Sequence, residues 1–246
     1  MPTDAVTLFL CGDVMTGRGI DQILPHPSPP VLFENHTTNA AAYVDLAEQA
    51  SGPIPRGAGF HYIWGAALEE IDRVAPAARI VNLETAVTTS SDYSPKGINY
   101  RMHPANAPCL TAAKIDCCVL ANNHVLDWGR AGLEETLRSI RSEGVGTAGA
   151  GFNLSEAFSP CVIDLASGRL LVFAYTTGDS GTPGSWKASA GESGVGFLPD
   201  LSDATAAQIG EQISAARRTG DMVLVSLHWG GNWGYEVPGT HRAFAH

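Results

Sequence analysis

Three adjacent polar side chains, Asn122, Asn123 and His124, follow directly on the apolar run from Cys117 to Ala121. An amide oxygen and an imidazole nitrogen both suit a borderline cation, and imidazole also transfers protons near neutral pH. The apolar run has the length and β-rich character of a buried strand. After Gly129 the period changes: Leu133, Leu137 and Ile140 recur at i, i+4 and i+7, and Gly144 stands where a left-handed glycine ends a helix. The triplet therefore occupies the turn from a strand's carboxyl end into a helix, the place where open α/β sheets bind ligands. An Asx-type turn with a fully satisfied histidine is the other reading of the same residues.

Three more apolar runs end on chemistry-bearing side chains. Ala5 to Asp13 ends on a carboxylate, with Met15, Gly17 and Arg18 behind it; Arg79 to Glu84 ends on another; Met222 to His228 ends on a histidine followed by Trp229. Four strands that deliver Asp, Glu, Asn with His, and His to one sheet edge describe a hard-metal site with mixed oxygen and nitrogen ligands. Cysteine takes no part, which argues against a structural zinc site. Asp13, Glu84, Asn123 and His228 are thus expected to converge within a few ångströms, with His124 at the edge.

The elements that must position these groups alternate between strand and helix. An irregular stretch from Leu24 to Gly59, rich in proline, holds a helix expected over Asn39 to Ala50 with Asn39 as its cap. An excursion of that length directly after Asp13 is either a substrate-binding lid or a surface decoration. Ala66 to Ala75 reads as a helix stopped by Pro76. Thr88 to Pro104 is polar, and its cations Lys96, Arg101 and His103 either neutralise an anionic ligand or line a solvated loop. Cys161 to Leu165 and Arg169 to Tyr175 pair as a hairpin, Gly178 to Gly196 reads as a mobile loop, and Ser202 to Arg218 is helical. The pattern is α/β with mixed sheets, in a single domain over residues 1–246, because no linker separates two cores.

The 246 residues can bury a sizeable core. A formal charge of -10, from 15 basic and 25 acidic side chains, argues against nucleic-acid binding. No segment reaches the roughly 18 apolar residues that a membrane span needs. The start, Met-Pro-Thr-Asp, lacks a basic leader region. Five cysteines without C-x-x-C spacing read as reduced core thiols, which implies a cytoplasmic protein.

Taken in order, Gly12-Asp13, Asn82-Leu83-Glu84, Asn122-Asn123-His124 with Asp127, and His228-Trp229-Gly230 with Glu236 resemble the calcineurin-like metallophosphoesterase superfamily. Within it they resemble the CapA-type proteins named for poly-γ-glutamate capsule synthesis. Lys96 to Pro104, and Gly52 to Arg56 running on to Gly65, fit the same subgroup, so the resemblance covers nearly the whole chain. Met15 and Glu84 stand where the wider superfamily has histidine and aspartate, as is usual in that branch.

The resemblance implies a four-layer α/β/β/α sandwich and two divalent ions, Mn, Fe or Zn. Asp13, Glu84, Asn123 and His228 would ligate them, and a metal-bound hydroxide would attack a phosphoester or related bond. His124 would serve as general acid, and Asp127 either orients that imidazole or caps the helix. Arg18, Arg101, His103 and Glu236 would face an anionic small-molecule or polymer substrate, and capsule-synthesis proteins would be partners. A non-catalytic accessory subunit of a polyanion synthetase, with a vestigial site, is the alternative; a metal-stabilised binding protein is a third reading. The superfamily's closing Gly-His-x-His block has no counterpart here, and the last residues, Thr240 to His246, read as the start of a helix. The expectation is therefore of a chain truncated at its C-terminal end, with His241 and His246 poor substitutes for the missing ligands, weak metal binding, poor solubility and little hydrolase activity.

Overall fold

Residues 5–246 are described by the computed structural model; Met1 to Asp4, read above as lacking a leader, lie outside the described residues. The chain divides into two compact units, one of residues 1–118 with 124–147 and the other of residues 119–123 with 148–246. The chain changes unit within short strands and beside Asn123. That is why no Pro- or Ser-rich linker betrays the division in the sequence, which reads as one domain.

The first unit contains β1 (Leu8–Val14), α1 (Arg18–Ile23), α2 (Ala41–Ser51), α3 (Ala67–Val74), β2 (Ala78–Leu83), β3 (Ala86–Val87), β4 (Arg101–Met102), α4 (Pro108–Ala112), most of β5 (Cys117–Val119), α5 (Gly129–Ser142) and most of β6 (Gly146–Ala148). Its main sheet has the order β1-β2-β5-β6, with β1 and β2 parallel, and β3 pairs with β4 in a separate parallel pair. The interior strands β2 and β5 are buried along their whole lengths, as their unbroken apolar runs require. Strand β1 lies at the edge and is exposed from Leu10 to Asp13, so Cys11, read above as a core thiol, lies at the surface. Helix α5 buries Leu133, Leu137 and Ile140 on one face, and Gly144 follows with φ +77°. The α2 helix starts two residues later than expected, although Asn39 Oδ1 still accepts the Ala41 amide at 2.9 Å.

The second unit contains β7 (Ala150–Gly151), α6 (Leu154–Phe158), β8 (Cys161–Leu165), β9 (Gly168–Thr176), β10 (Gly194–Val195), α7 (Asp203–Ala216), β11 (Met222–His228) and α8 (Gly239–Ala245). Its three-stranded sheet runs β11-β9-β8, with β9 parallel to β11 and antiparallel to β8, so the expected hairpin is present. Alternate residues Leu171, Phe173 and Tyr175 face the core with Leu198 and Ile209 of α7, as the period of two demands. Ser202 caps α7 by accepting the Thr205 amide. The segment from Gly178 to Gly196 is built in rather than loose: Ser180, Thr182, Trp186, Ala188 and Val195 are buried, and Ala188 and Val195 are joined by a backbone hydrogen bond.

Gly149 ties β7 to this sheet. Its φ is +84°, and a Cβ there would lie 2.6 Å from Ala121 Cβ and 2.8 Å from Ala174 Cβ. Gly149→Ala should therefore destabilise the protein by about 1–3 kcal/mol, through a left-handed backbone and a forced shift of packed methyls. Urea unfolding with an unchanged midpoint would show that the turn relaxes without cost.

All five cysteines are free, four of them buried and Cys11 exposed. Among the described residues no helix is long and apolar enough to cross a membrane.

Candidate functional site

In the first unit, Asp13 and Glu84 are delivered by neighbouring strands. The β1/β2 register shifts between Cys11 and Asp13, so that Asp13 stands opposite Asn82, and such bulges re-aim side chains beside active sites. Asn82 Nδ2 donates to Asp13 Oδ1 at 2.7 Å. Glu84 follows β2 directly, and its amide donates to Val14 O at 3.0 Å. The Glu84 carboxyl is buried against Asp13, and its Oε2 has no hydrogen-bond partner among the described residues. Burial first, then the hydrogen bond and charge of Asp13, push its pKa up to about 8. Two adjacent carboxyl groups of this kind hold a shared proton or a cation, and the hard oxygen donors fit a divalent ion.

His124 approaches the same carboxylate, with Nε2 3.7 Å from Glu84 Oε1. Its Nδ1 is 2.7 Å from Asp127 Oδ2. A carboxylate only accepts, so this contact places the proton on Nδ1 and turns the Nε2 lone pair toward Glu84. Asp127 is completely buried and also accepts the Tyr100 amide at 2.6 Å. Helix α5 begins after Trp128 with no side-chain cap, so Asp127 contacts the imidazole rather than capping the helix. Lys96 Nζ lies 2.8 Å from Asp127 Oδ1 and 3.3 Å from His124 Nδ1, and the Tyr100 ring stacks on the imidazole at 3.9 Å. Burial lowers the pKa of His124, with Lys96 and Arg18 acting in the same direction against Asp127.

Arg18 also belongs to this unit: its guanidinium lies over Tyr100 at 4.7 Å and pairs with Glu34 at 2.6 Å. Arg101 and His103 are occupied by the scaffold instead. Arg101 stacks on Trp128 at 3.9 Å and donates to Ser90 O and Pro29 O. The His103 ring accepts the Ala105 amide at 3.1 Å as the cap of a short 3-10 turn. Sequence reading gave Tyr100 no role of its own and left Lys96 open between an anion site and a solvated loop. The signal was their spacing, since Lys96 and Tyr100 bracket the turn that Asp127 holds through Ser94, Asn99 and Tyr100.

In the second unit, His228 Nε2 is 3.2 Å from Asn123 Oδ1, so an imidazole and an amide oxygen stand side by side. The His228 carbonyl accepts from the Thr176 hydroxyl and the Thr177 amide, which anchors the end of β11. Thr176, Ser180 and Thr182 form a buried hydroxyl cluster behind it. His241 is buried in α8, stacked on Trp229 at 4.6 Å and 2.8 Å from Asp179 Oδ2. Glu236 is exposed in the segment that leads to α8, next to the fully exposed Tyr235.

A family model for the bacterial capsule synthesis protein PGA_cap matches residues 7–246. The chain belongs to the PGA_cap family. A probable polyglutamine synthesis accessory protein of Mycobacterium tuberculosis is 40% identical over 246 residues, 99% of this chain and 65% of that relative. The PGA biosynthesis protein CapA of Bacillus subtilis is 24% identical over 98% of this chain and 53% of its own length. The capsule biosynthesis protein CapA of Bacillus anthracis is 21% identical over 92% of this chain and 47% of its own length. The chain thus spans between about half and two thirds of the length of these relatives.

Proposed function

We propose that this PGA_cap protein serves the synthesis of an anionic capsule polymer of the polyglutamate class, as a metal-dependent hydrolase of a phosphoester or related bond. The observation that carries the reading is the buried Glu84 carboxyl against Asp13, with one oxygen unpartnered among the described residues and the His124–Asp127 pair beside it. Asp13 and Glu84 would hold a metal in the first unit; in the second, Asn123 and His228 offer an amide oxygen and an imidazole nitrogen of the kind such an ion takes. Divalent ions bound there supply Lewis-acid polarisation of a substrate oxygen and lower the pKa of water. His124, held in its Nδ1–H tautomer by Asp127, would take up a proton at Nε2 and pass it to the leaving group. The four-layer α/β/β/α arrangement belongs to the same reading, and so do the cytoplasmic location and polymer-synthesis partners.

The word "accessory" in the name of the mycobacterial relative favours a second reading, a non-catalytic subunit of a polyanion synthetase. One experiment separates the two. Purified intact protein is assayed for bound metal, then for turnover of bis-p-nitrophenyl phosphate with added Mn²⁺, Fe²⁺ or Zn²⁺ and with EDTA. Metal-dependent turnover that His124→Ala removes supports the hydrolase. Stoichiometric metal without turnover, together with co-purification of a ligase, supports the subunit.

A further inference from the structure

Arg18 is fixed by side chains that lie in the long excursion between Leu24 and Gly59. Its φ is +48°, one of three left-handed non-glycine backbones among the described residues. Such conformations persist where the surroundings impose them, and they gather at functional sites. The surroundings here are specific. Arg18 Nε donates to Glu34 Oε1 at 2.6 Å, and the guanidinium carbon lies over the rings of Tyr43 at 4.9 Å and Tyr100 at 4.7 Å. Glu34 is itself fixed, because the Tyr43 hydroxyl donates to its other oxygen at 2.5 Å. Burial, then that hydrogen bond, raise the Tyr43 pKa to about 12, so the phenol remains a donor throughout the physiological range.

This clamp uses only one of the three guanidinium nitrogens. Nη1 and Nη2 make no hydrogen bond to the described residues, and the side chain keeps 16% of its surface exposed while that of Glu34 keeps 1%. A guanidinium held at Nε and against two aromatic rings has lost much of its rotamer freedom before any ligand arrives. It presents a planar pair of donors of the geometry that carboxylate and phosphoryl oxygens accept. An ion pair wanted for stability alone would turn two nitrogens onto Glu34. Arg18 also lines, with Met15, Ile20, Tyr43, Val44 and Ile54, a cavity of about 190 Å³ whose other walls are apolar. The Tyr100 ring under the guanidinium is also the ring stacked on His124.

We propose that the Nη1/Nη2 fork of Arg18, set by Glu34 and Tyr43, binds an oxyanion of the substrate carried on a short aliphatic stem, and that the 24–59 excursion is thereby a specificity element of the His124 site. The proposal rests on the functional reading above for the word substrate; the binding itself needs no metal. Glu34 and Tyr43 are positioning residues, and Arg18 is the group that touches the ligand.

The test is made on intact protein stripped with EDTA, so that it succeeds or fails independently of the hydrolase assay. Inorganic phosphate and glutarate are titrated by calorimetry against the parent protein, Arg18→Lys, Glu34→Gln and Tyr43→Phe. Arg18→Lys keeps the charge and loses the fork, and should weaken both probes roughly tenfold, with Glu34→Gln and Tyr43→Phe losing about threefold. Glutarate binding tighter than phosphate would identify a carboxylate on an aliphatic stem, and the reverse a phosphoryl group; either supports the receptor. Equal affinity in the parent and Arg18→Lys for both probes overturns it. The Arg18 Nε–H resonance of the parent protein gives a second readout that needs no variant: it should shift on titration, and an unmoved resonance overturns the proposal as well.

Discussion

Glu84→Gln should abolish retention of a divalent cation and flatten the pH dependence of stability in the metal-free protein. The sign follows from the raised carboxyl. With its pKa at about 8 against an ordinary 4.5, Glu84 holds its proton more tightly folded than unfolded. Its contribution is therefore fully present below about pH 4.5 and is lost as pH rises through about 8. A bound cation replaces that proton, so apparent metal affinity should increase with pH up to about 8. Glutamine keeps the shape and carries neither the proton nor the charge. Asp13→Ala should lose metal as well, since Asp13 supplies the adjacent carboxylate and Asn82 is arranged to hold it. Metal content after dialysis and thermal melts at about pH 5 and pH 8 check this. Stoichiometric metal in Glu84→Gln, or a metal-free parent that gains stability relative to the variant over that interval, would refute it.

Much of this arrangement is legible in the sequence because apolar runs stop abruptly at polar residues. The strands before Glu84 and His228 and the α5 periodicity all stand where the pattern puts them, within the two or three residues by which strand and helix ends fray. What the pattern hides is long-range partnership. Lys96 lies in a polar stretch where a solvated lysine looks the same; only the fold brings its ammonium to Asp127, 31 positions away. Arg101 and His103 have the right chemistry for an anion site but are claimed by Trp128 and by a local turn, which residue type alone does not reveal. The segment from Gly178 to Gly196 has a flexible loop's composition, and its order comes from buried hydroxyls bonded to one another. The edge position of β1 is invisible for the same reason. Apolar content measures what a strand buries when both neighbours are present, and says nothing about how many it has.

His124→Ala should leave metal retention unchanged and lower turnover by roughly 10²–10⁴-fold, the loss expected when a positioned acid–base group is removed. In the proposed division of roles this residue is the acid–base group, and Asp13 and Glu84 are the metal donors. Its Nδ1 is committed to Asp127, its ring face to Tyr100, and only Nε2 is turned to the Glu84 side. Asp127 does to the imidazole what Lys96 does to Asp127: each contact fixes the orientation of the next group inward. Asp127→Asn should therefore lower turnover almost as far as His124→Ala, because an amide in that place no longer selects the Nδ1–H tautomer. It should also reduce stability, since Lys96 would lose the carboxylate it faces. Lys96→Met tests the order of the chain. If Lys96 acts through Asp127, the double variant Lys96→Met with Asp127→Asn loses no more turnover than Asp127→Asn alone. Additive losses would place Lys96 on the substrate instead. Metal titrations in which His124→Ala and Asp13→Ala behave alike would remove the division of labour between the imidazole and the carboxylates.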